Sequence, residues 1–154
     1  MKRIFILLTL ALAMILPASA ESTITLFMQS VSNTDIKISA NGKELVDMNG
    51  PIKNKSKAGG YRITTFKDCY RKINVEGQGK LTLGVVMNFT NPMNGVSMDY
   101  DGSIDLDIKD GENYYLQIDQ DRGTYDMEFN TVKPKDVEKR LKKWEELPAV
   151  TLKL

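Results

Sequence analysis

Apolar and polar residues alternate along most of the chain, which predicts β-strands with one buried and one exposed face. The clearest stretch runs from Ser103 to Ile118, with apolar residues at alternate positions on both sides of Asp110-Gly111. Shorter runs with the same period occupy Thr23–Gln29, Ile36–Ala40, Lys43–Met48, Tyr61–Phe66, Cys69–Val75 and Leu81–Phe89. About eight or nine short strands are expected, in a mainly β fold that forms a single antiparallel β-sandwich.

Turn residues predict where these strands reverse. Asn41-Gly42 is a strong hairpin signal, because a type I′ turn needs positive φ at both central residues. A two-residue loop there places Ile38 opposite Leu45. By contrast, the stretch Lys53–Gly60 has no apolar alternation and is predicted to be a mobile, solvated basic loop.

Burial also predicts the register around three later turns, because a shift of one residue moves every side chain to the opposite face. The connections expected from this rule are three residues long at 101–103, tight at Asp110-Gly111, and four residues long at 120–123. The opposed pairs are then Tyr100 with Ile104, Met98 with Leu106, Ile108 with Tyr114, Leu106 with Leu116, and Ile118 with Tyr125. The same alternation is compatible with strands that cross between the two sheets.

The period changes from two to that of a helix near the C-terminus. Pro134 suits the first position of a helix, and Pro148 ends the pattern. The apolar residues between them are Val137, Leu141, Trp144 and Leu147. We expect one amphipathic helix over about 134–147, packed on the sandwich and followed by a short edge strand.

The N-terminus has the features of a secretory signal. Lys2 and Arg3 precede an uncharged, mostly apolar run that ends before Ala18-Ser19-Ala20, a typical cleavage motif. The run is too short for a comfortable membrane span. Residues 1–20 are therefore predicted to be a signal peptide cleaved after Ala20, and residues 21–154 a single secreted or periplasmic domain without a transmembrane segment.

Composition excludes several functions. The 21 basic and 20 acidic residues nearly cancel, so net charge gives no attraction to nucleic acid or anionic membranes. The chain has no histidine, which excludes Ser-His-Asp and Cys-His catalysis and histidine zinc ligands. Cys69 is the only cysteine and is expected to be buried, with pairing between chains as the alternative.

Carboxylates are the candidate chemistry that remains. Asp99, Asp101, Asp105 and Asp107 are candidate calcium ligands, because calcium takes six to eight oxygens. Two such carboxylates in a cleft could also support glycoside hydrolysis. The favoured interpretation is a solvated acidic face, since alternation of this kind is what an exposed strand face requires. No cofactor is expected.

Several aromatic residues fall out of phase with the predicted core and are candidate ligand-binding residues. Phe27, Tyr70 and Tyr115 could stack on sugar rings or contact a protein. The favoured alternative is that the helix with Trp144 covers them as a second apolar layer.

Two segments resemble small exported bacterial β-sandwich proteins of unknown function. Asp35–Gly50, DIKISANGKELVDMNG, resembles their opening of an extended strand, an NGK hairpin and an NG turn. Gly111–Ile118, GENYYLQI, and the charged helix ending in Leu147-Pro148 are similar to the same group. The resemblance implies bacterial export and a sandwich fold, but no activity and no site residues.

These observations together predict a non-catalytic exported protein that binds another protein or a component of the cell envelope. A carbohydrate- or calcium-binding module is the first alternative, and a carboxylate-based hydrolase is the second. Nucleic acid is not expected as a partner.

Overall fold

The computed structural model describes residues 20–121, 124 and 126–154. Residues 1–19 of the expected signal peptide, and the pairing expected for Tyr125, lie outside this range. The described part contains eleven strands and one helix, which confirms the prediction of a mainly β fold. The elements are β1 (Ser22–Met28), β2 (Thr34–Ala40), β3 (Lys43–Asp47), β4 (Ile52–Ala58), β5 (Tyr61–Phe66), β6 (Cys69–Glu76), β7 (Gly79–Thr90), β8 (Ser97–Ile108), β9 (Asn113–Gln120), β10 (Met127–Thr131), α1 (Pro134–Lys143) and β11 (Glu145–Lys153).

Nine strands form two larger sheets that share one hydrophobic core. The strand order is β10-β9-β1-β6-β11 in the five-stranded sheet and β3-β2-β7-β8 in the four-stranded sheet. Alternate residues of both sheets enter the same buried cluster, including Ile24, Leu26, Ile73 and Leu116 from the first and Ile36, Ile38, Leu83 and Val85 from the second. The sheets therefore face each other across this core in a sandwich-like arrangement.

The five-stranded sheet is mixed, which corrects the expectation of a purely antiparallel sandwich. Strand β1 runs antiparallel to β6 but parallel to β9, and β11 runs parallel to β6. Connectivity is the reason. Parallel neighbours need a crossover connection, and here the chain passes through the other sheet before β9 and through α1 before β11.

The β2–β3 hairpin has the predicted turn but a different register. Asn41 and Gly42 both have positive φ, 49° and 77°, as a type I′ turn requires. The expected pairing of Ile38 with Leu45 is wrong, because Ile38 lies opposite Val46. A bulge on β3 inserts one extra residue and shifts the register between Ile38 and Ser39.

Strand β8 continues through Asp101-Gly102, where the sequence predicted a turn. Its register with β7 is unbroken from Ser97 to Ile108, so the expected Tyr100–Ile104 and Met98–Leu106 pairs are wrong. Gly102 has a different role. A Cβ atom there would lie 1.8 Å from the backbone oxygen of Met127, so glycine permits β10 to approach β8 closely.

The chain does turn at Asp110-Gly111, but the two arms separate into different sheets. Leu106 pairs with Leu81 in one sheet, and Leu116 pairs with Leu26 in the other. The expected Ile108–Tyr114 and Leu106–Leu116 pairs are therefore wrong. Two strands on opposite sides of a core show the same alternation as a hairpin, so the apolar pattern alone does not distinguish them.

The predicted helix is present but shorter than expected. It spans Pro134–Lys143, and Trp144 already has extended backbone angles, φ −95° and ψ 153°. Leu147 belongs instead to β11, because pairing with β6 begins at Glu145. The expected C-terminal edge strand is confirmed and is longer than predicted.

Candidate functional site

The four candidate calcium ligands lie in one row on the exposed face of β8. Asp99, Asp101, Asp105 and Asp107 alternate with residues that face the core, so neighbouring members lie two or four residues apart along an extended strand. A step of two residues is about 6.6 Å. The row spreads the carboxylates along the strand rather than bringing them to a point.

Polar neighbours on β7 already bind two of these carboxylates. Thr82 donates its hydroxyl hydrogen to Asp105 at 2.6 Å, and the Asn88 side chain donates to Asp99 at 2.7 Å. Lys80 lies directly opposite Asp107. Among the residues that the structure describes, no three histidine, cysteine, aspartate or glutamate side chains converge in a way that could hold a metal ion.

The candidate aromatic residues lie beneath the C-terminal helix. Phe27 is fully buried and Tyr70 is 5% exposed, while Tyr115 is half-buried in contact with the same cluster. Trp144 meets Phe27 edge-on, with ring centroids 5.7 Å apart. The helix and Trp144 thus form a second apolar layer on the outer face of the five-stranded sheet, as the favoured interpretation stated, and leave no open aromatic platform at Phe27 and Tyr70.

Cys69 is buried at the edge of the core, as expected. Its thiol lies 3.6 Å from the Met48 carbonyl oxygen, and burial raises the pKa of the thiol to about 11. A thiol with this pKa is protonated at neutral pH and is a poor nucleophile.

The segment predicted to be a mobile basic loop forms an exposed hairpin instead. Strands β4 and β5 make a separate two-stranded sheet, Ile52–Phe66, which we call the basic arm. Gly59 and Gly60 have φ of 58° and 87°, so they form the tight turn that joins the strands. Every residue of β4 is exposed, and no residue of β5 is fully buried, although the four residues 63–66 at its end are half-buried. The arm therefore gains little stability from burial.

The linker between β1 and β2 holds the root of the basic arm. The Asn33 backbone N–H donates to the Thr64 carbonyl at 2.9 Å, and the Thr64 N–H donates to the Asn33 side chain at 2.9 Å. Phe66 N–H donates to the Val31 carbonyl at 3.0 Å. These bonds fix where the arm begins and extend its sheet by a short segment.

One face of the basic arm carries positive charge alone. Lys57 lies directly opposite Arg62, and Lys55 lies two residues before Lys57 on the same face. We call these three side chains the basic face. The chain has no acidic residue between Asp47 and Asp68. Within the described part of the chain, no carboxylate forms an ion pair with any of the three.

The basic face is electrostatically unfavourable for the isolated protein. Directly opposed side chains in an antiparallel pair have Cβ atoms about 5 Å apart, and like charges at that distance destabilise the pair. A hairpin with so little buried surface has little to offset this repulsion. An anion placed between Lys57 and Arg62 would remove it.

Apolar side chains lie exposed at the same end of the sandwich. The turn between β7 and β8 begins at Thr90, whose N–H donates to the Asn33 carbonyl at 3.0 Å. Met93 and Val96 in this turn are 68% and 52% exposed, and Met98 at the start of β8 is 42% exposed; we call these three residues the apolar turn. Asn33 thus contacts both the root of the basic arm and the start of the apolar turn.

The sequence held a signal for the basic arm that the prediction of a loop overlooked. Lysines at 53, 55 and 57 have the period-two spacing of a strand, and Gly59-Gly60 is a two-residue hairpin turn before the strand at Tyr61. Because β4 has no buried face, its alternation does not appear in the apolar residues that predict the other strands.

Comparison of the chain with protein-family models, curated proteins and solved structures finds no match. In the residues that the structure describes, no helix is both long and apolar enough to span a membrane. The function of the candidate site is therefore inferred from the geometry of this chain alone.

Proposed function

We propose that the protein is an exported, non-catalytic binding protein that docks on an anionic surface of the cell envelope through its basic arm. The observation that carries this proposal is the basic face, where Lys55, Lys57 and Arg62 project on one side of an exposed hairpin without acidic neighbours. Phosphates of lipid head groups supply the complementary charge.

Charge segregation reconciles this proposal with the balanced net charge. The balanced total predicts no attraction between anionic membranes and the chain as a whole. Local potential depends on where the charges lie, and screening limits their reach to about 8–10 Å at physiological salt. The cations of the basic face lie on β4 and β5, while the aspartate row lies on β8, in a different sheet.

The apolar turn supports a membrane surface as the partner. Peripheral membrane proteins combine cations that attract anionic lipids with apolar side chains that enter the head-group region. Met93 and Val96 are more than half exposed and lie at the end of the molecule where the basic arm begins. Both features could then contact the same surface.

Export and the lack of catalysis are parts of the same proposal. The basic N-terminus, apolar run and Ala18-Ser19-Ala20 motif support secretion or a periplasmic location after cleavage. The absence of histidine and the high pKa of Cys69 support a binding role over nucleophilic catalysis.

Co-sedimentation with phosphatidylglycerol vesicles, and with phosphatidylcholine vesicles in parallel, tests the proposal. We expect binding to the anionic vesicles only, because each cation near an anionic surface contributes about 1 kcal/mol. Replacing Lys55, Lys57 and Arg62 by alanine should therefore weaken binding by about 100-fold. Raising the salt concentration to about 0.5 M should have a similar effect, since the screening length falls to roughly 4 Å.

A matched control variant removes equal charge elsewhere. Lys43, Lys109 and Lys142 are exposed and lie outside the basic arm. Their triple alanine variant should bind anionic vesicles within about threefold of the unchanged protein. Equal loss in both triple variants, or equal binding to phosphatidylcholine, would contradict docking through the basic arm.

Lys57→Glu gives a second test that does not depend on vesicles. An opposite-charge pair with Arg62 should stabilise the basic arm by about 0.5 kcal/mol while weakening membrane binding. Hydrogen exchange of the arm amides would measure the first effect. Faster exchange in the variant would show that the like charges of Lys57 and Arg62 do not destabilise the basic arm.

A further inference from the structure

A polar cavity of about 330 Å³ lies between the start of α1 and the outer face of β9 and β10. We call it the helix–sheet cleft. It is distinct from the basic arm, which belongs to another sheet. Its lining residues carry charges of both signs and only one is aliphatic: Gln117, Asp119, Asn130, Thr131, Val132, Lys133, Lys135, Asp136 and Arg140.

Gln117 is one of the residues that line this cleft, and its side-chain acceptor has no partner. The residue is 8% exposed, and its side-chain amide nitrogen donates to the Asp119 carboxylate. Asn130 donates to the other Asp119 oxygen at 3.1 Å. These bonds fix the orientation of the Gln117 amide, because the reversed amide would place two acceptors together. The Gln117 Oε1 atom is left buried and unpaired.

Arg140 is another residue that lines the cleft, and it has an unpaired donor. Its guanidinium lies over two aromatic rings, 5.5 Å from the centroid of Phe27 and 5.1 Å from that of Trp144. The Arg140 Nη1 atom is buried and has no hydrogen-bond partner. Leaving a buried charged donor without a partner costs more than leaving a neutral one.

The other charged residues of the cleft also include both cations and an unpaired carboxylate. Lys133 and Lys135 lie at the N-terminal end of α1, where the helix has no side-chain cap. Asp136 is on the same turn, and none of the ion pairs within the described residues involves its carboxylate. The cleft thus offers positive donors for a carboxylate, and the acceptors Gln117 Oε1 and Asp136 for an ammonium group.

We infer that the helix–sheet cleft binds a small zwitterion of amino-acid or dipeptide size. Its carboxylate accepts hydrogen bonds from Arg140 and the lysines at the start of α1, and its ammonium donates to Gln117 Oε1 and Asp136. A simple anion would leave Gln117 Oε1 unpaired, and a simple cation would leave Arg140 Nη1 unpaired. A zwitterion satisfies both atoms at once.

Side-chain nitrogen NMR spectra of the purified protein test this with three matched probes. The probes are L-alanyl-L-alanine, its N-acetyl derivative and its C-terminal amide. Free dipeptide should shift the resonances of Arg140 Nε–H and the Gln117 amide. Each blocked form loses one charge-assisted interaction and should bind about tenfold more weakly or worse.

Two variants separate binding from folding. Gln117→Met keeps the side-chain length but removes the acceptor, and Arg140→Met removes the donor. In each variant the dipeptide should no longer shift the reporter that remains, Arg140 Nε–H in Gln117→Met and the Gln117 amide in Arg140→Met, while thermal unfolding still reports a folded protein. The triple alanine variant of Lys55, Lys57 and Arg62 should bind the dipeptide unchanged.

Three results would overturn the inference. The first is the absence of shifts at Gln117 and Arg140 at millimolar dipeptide. The second is equal binding of the blocked and free probes. The third is unchanged dipeptide binding by a folded Gln117→Met variant.

Discussion

Gly102 tests the contact between the two sheets most directly. A Cβ atom at this position would lie 1.8 Å from the Met127 carbonyl oxygen and 2.6 Å from the Met127 carbonyl carbon. Both atoms belong to the backbone of β10, so rotation of a side chain cannot relieve the clash. In Gly102→Ala, β8 and β10 must move apart by more than 1 Å to reach ordinary contact distances. Their shift loosens the packing of Tyr100 and Met127, which are both buried.

Overpacking of a core costs typically 1–3 kcal/mol, and we expect about 3 kcal/mol here because backbone atoms clash. With a urea dependence of roughly 2 kcal/mol per molar, the unfolding midpoint should fall by about 1.5 M. Fluorescence of Trp144, the only tryptophan, provides the assay.

Gly84→Ala is the matched control, because Gly84 lies on β7 opposite Ser103, the neighbour of Gly102. Its added Cβ atom would meet the Ser39 hydroxyl oxygen at 2.5 Å. A hydroxyl can rotate away, so the cost should stay below about 1 kcal/mol. A Gly102→Ala protein with an unchanged midpoint would refute the close approach of β10 to β8.

Three further predictions concern the helix layer, the buried thiol and the aspartate row. Trp144→Ala removes the half-buried ring that meets Phe27 and should lower the free energy of unfolding by about 2 kcal/mol, measured by circular dichroism in urea; no loss would contradict the second apolar layer. Because burial raises the Cys69 pKa from 9.0 to about 11, the folded protein retains a proton that the unfolded chain releases. Stability should therefore fall as pH rises from about 9 to 11, by up to about 1.4 kcal/mol per unit, and Cys69→Ala should lack this component of the slope. Replacing Asp105 and Asp107 together by asparagine should change the free energy of unfolding by less than about 1 kcal/mol. Calorimetry with millimolar calcium should give the same result for this variant and for the original protein. Binding of calcium by the original protein alone would indicate a site.

Alternation predicted the strands well because it follows directly from burial of one sheet face. Ile24, Leu26, Leu83 and Val85 enter the core in the phase that the sequence indicated. Pairing was harder to predict, since the same phase suits a hairpin and two strands that face each other across the core. The local signal at Asp101-Gly102 misled for a related reason. Glycine serves both turns and close backbone approaches, and only the position of Met127 decides between them.

The candidate site was less predictable than the fold. Burial of Phe27 followed from the need of an amphipathic helix for an apolar surface. The basic arm has no apolar face, so the rule that found the other strands did not apply to it. The helix–sheet cleft was beyond sequence reasoning altogether, because Gln117 and Arg140 meet there only through tertiary packing of α1 on β9.

The most direct test of docking through the basic arm is backbone NMR of the protein with phosphatidylglycerol nanodiscs. We predict that resonances of residues 52–66 and of the apolar turn broaden or shift on addition of nanodiscs, and that those of Asp105 and Asp107, which lie further along β8, do not. Uniform changes across the protein, or changes confined to residues outside the basic arm and apolar turn, would contradict the proposed function.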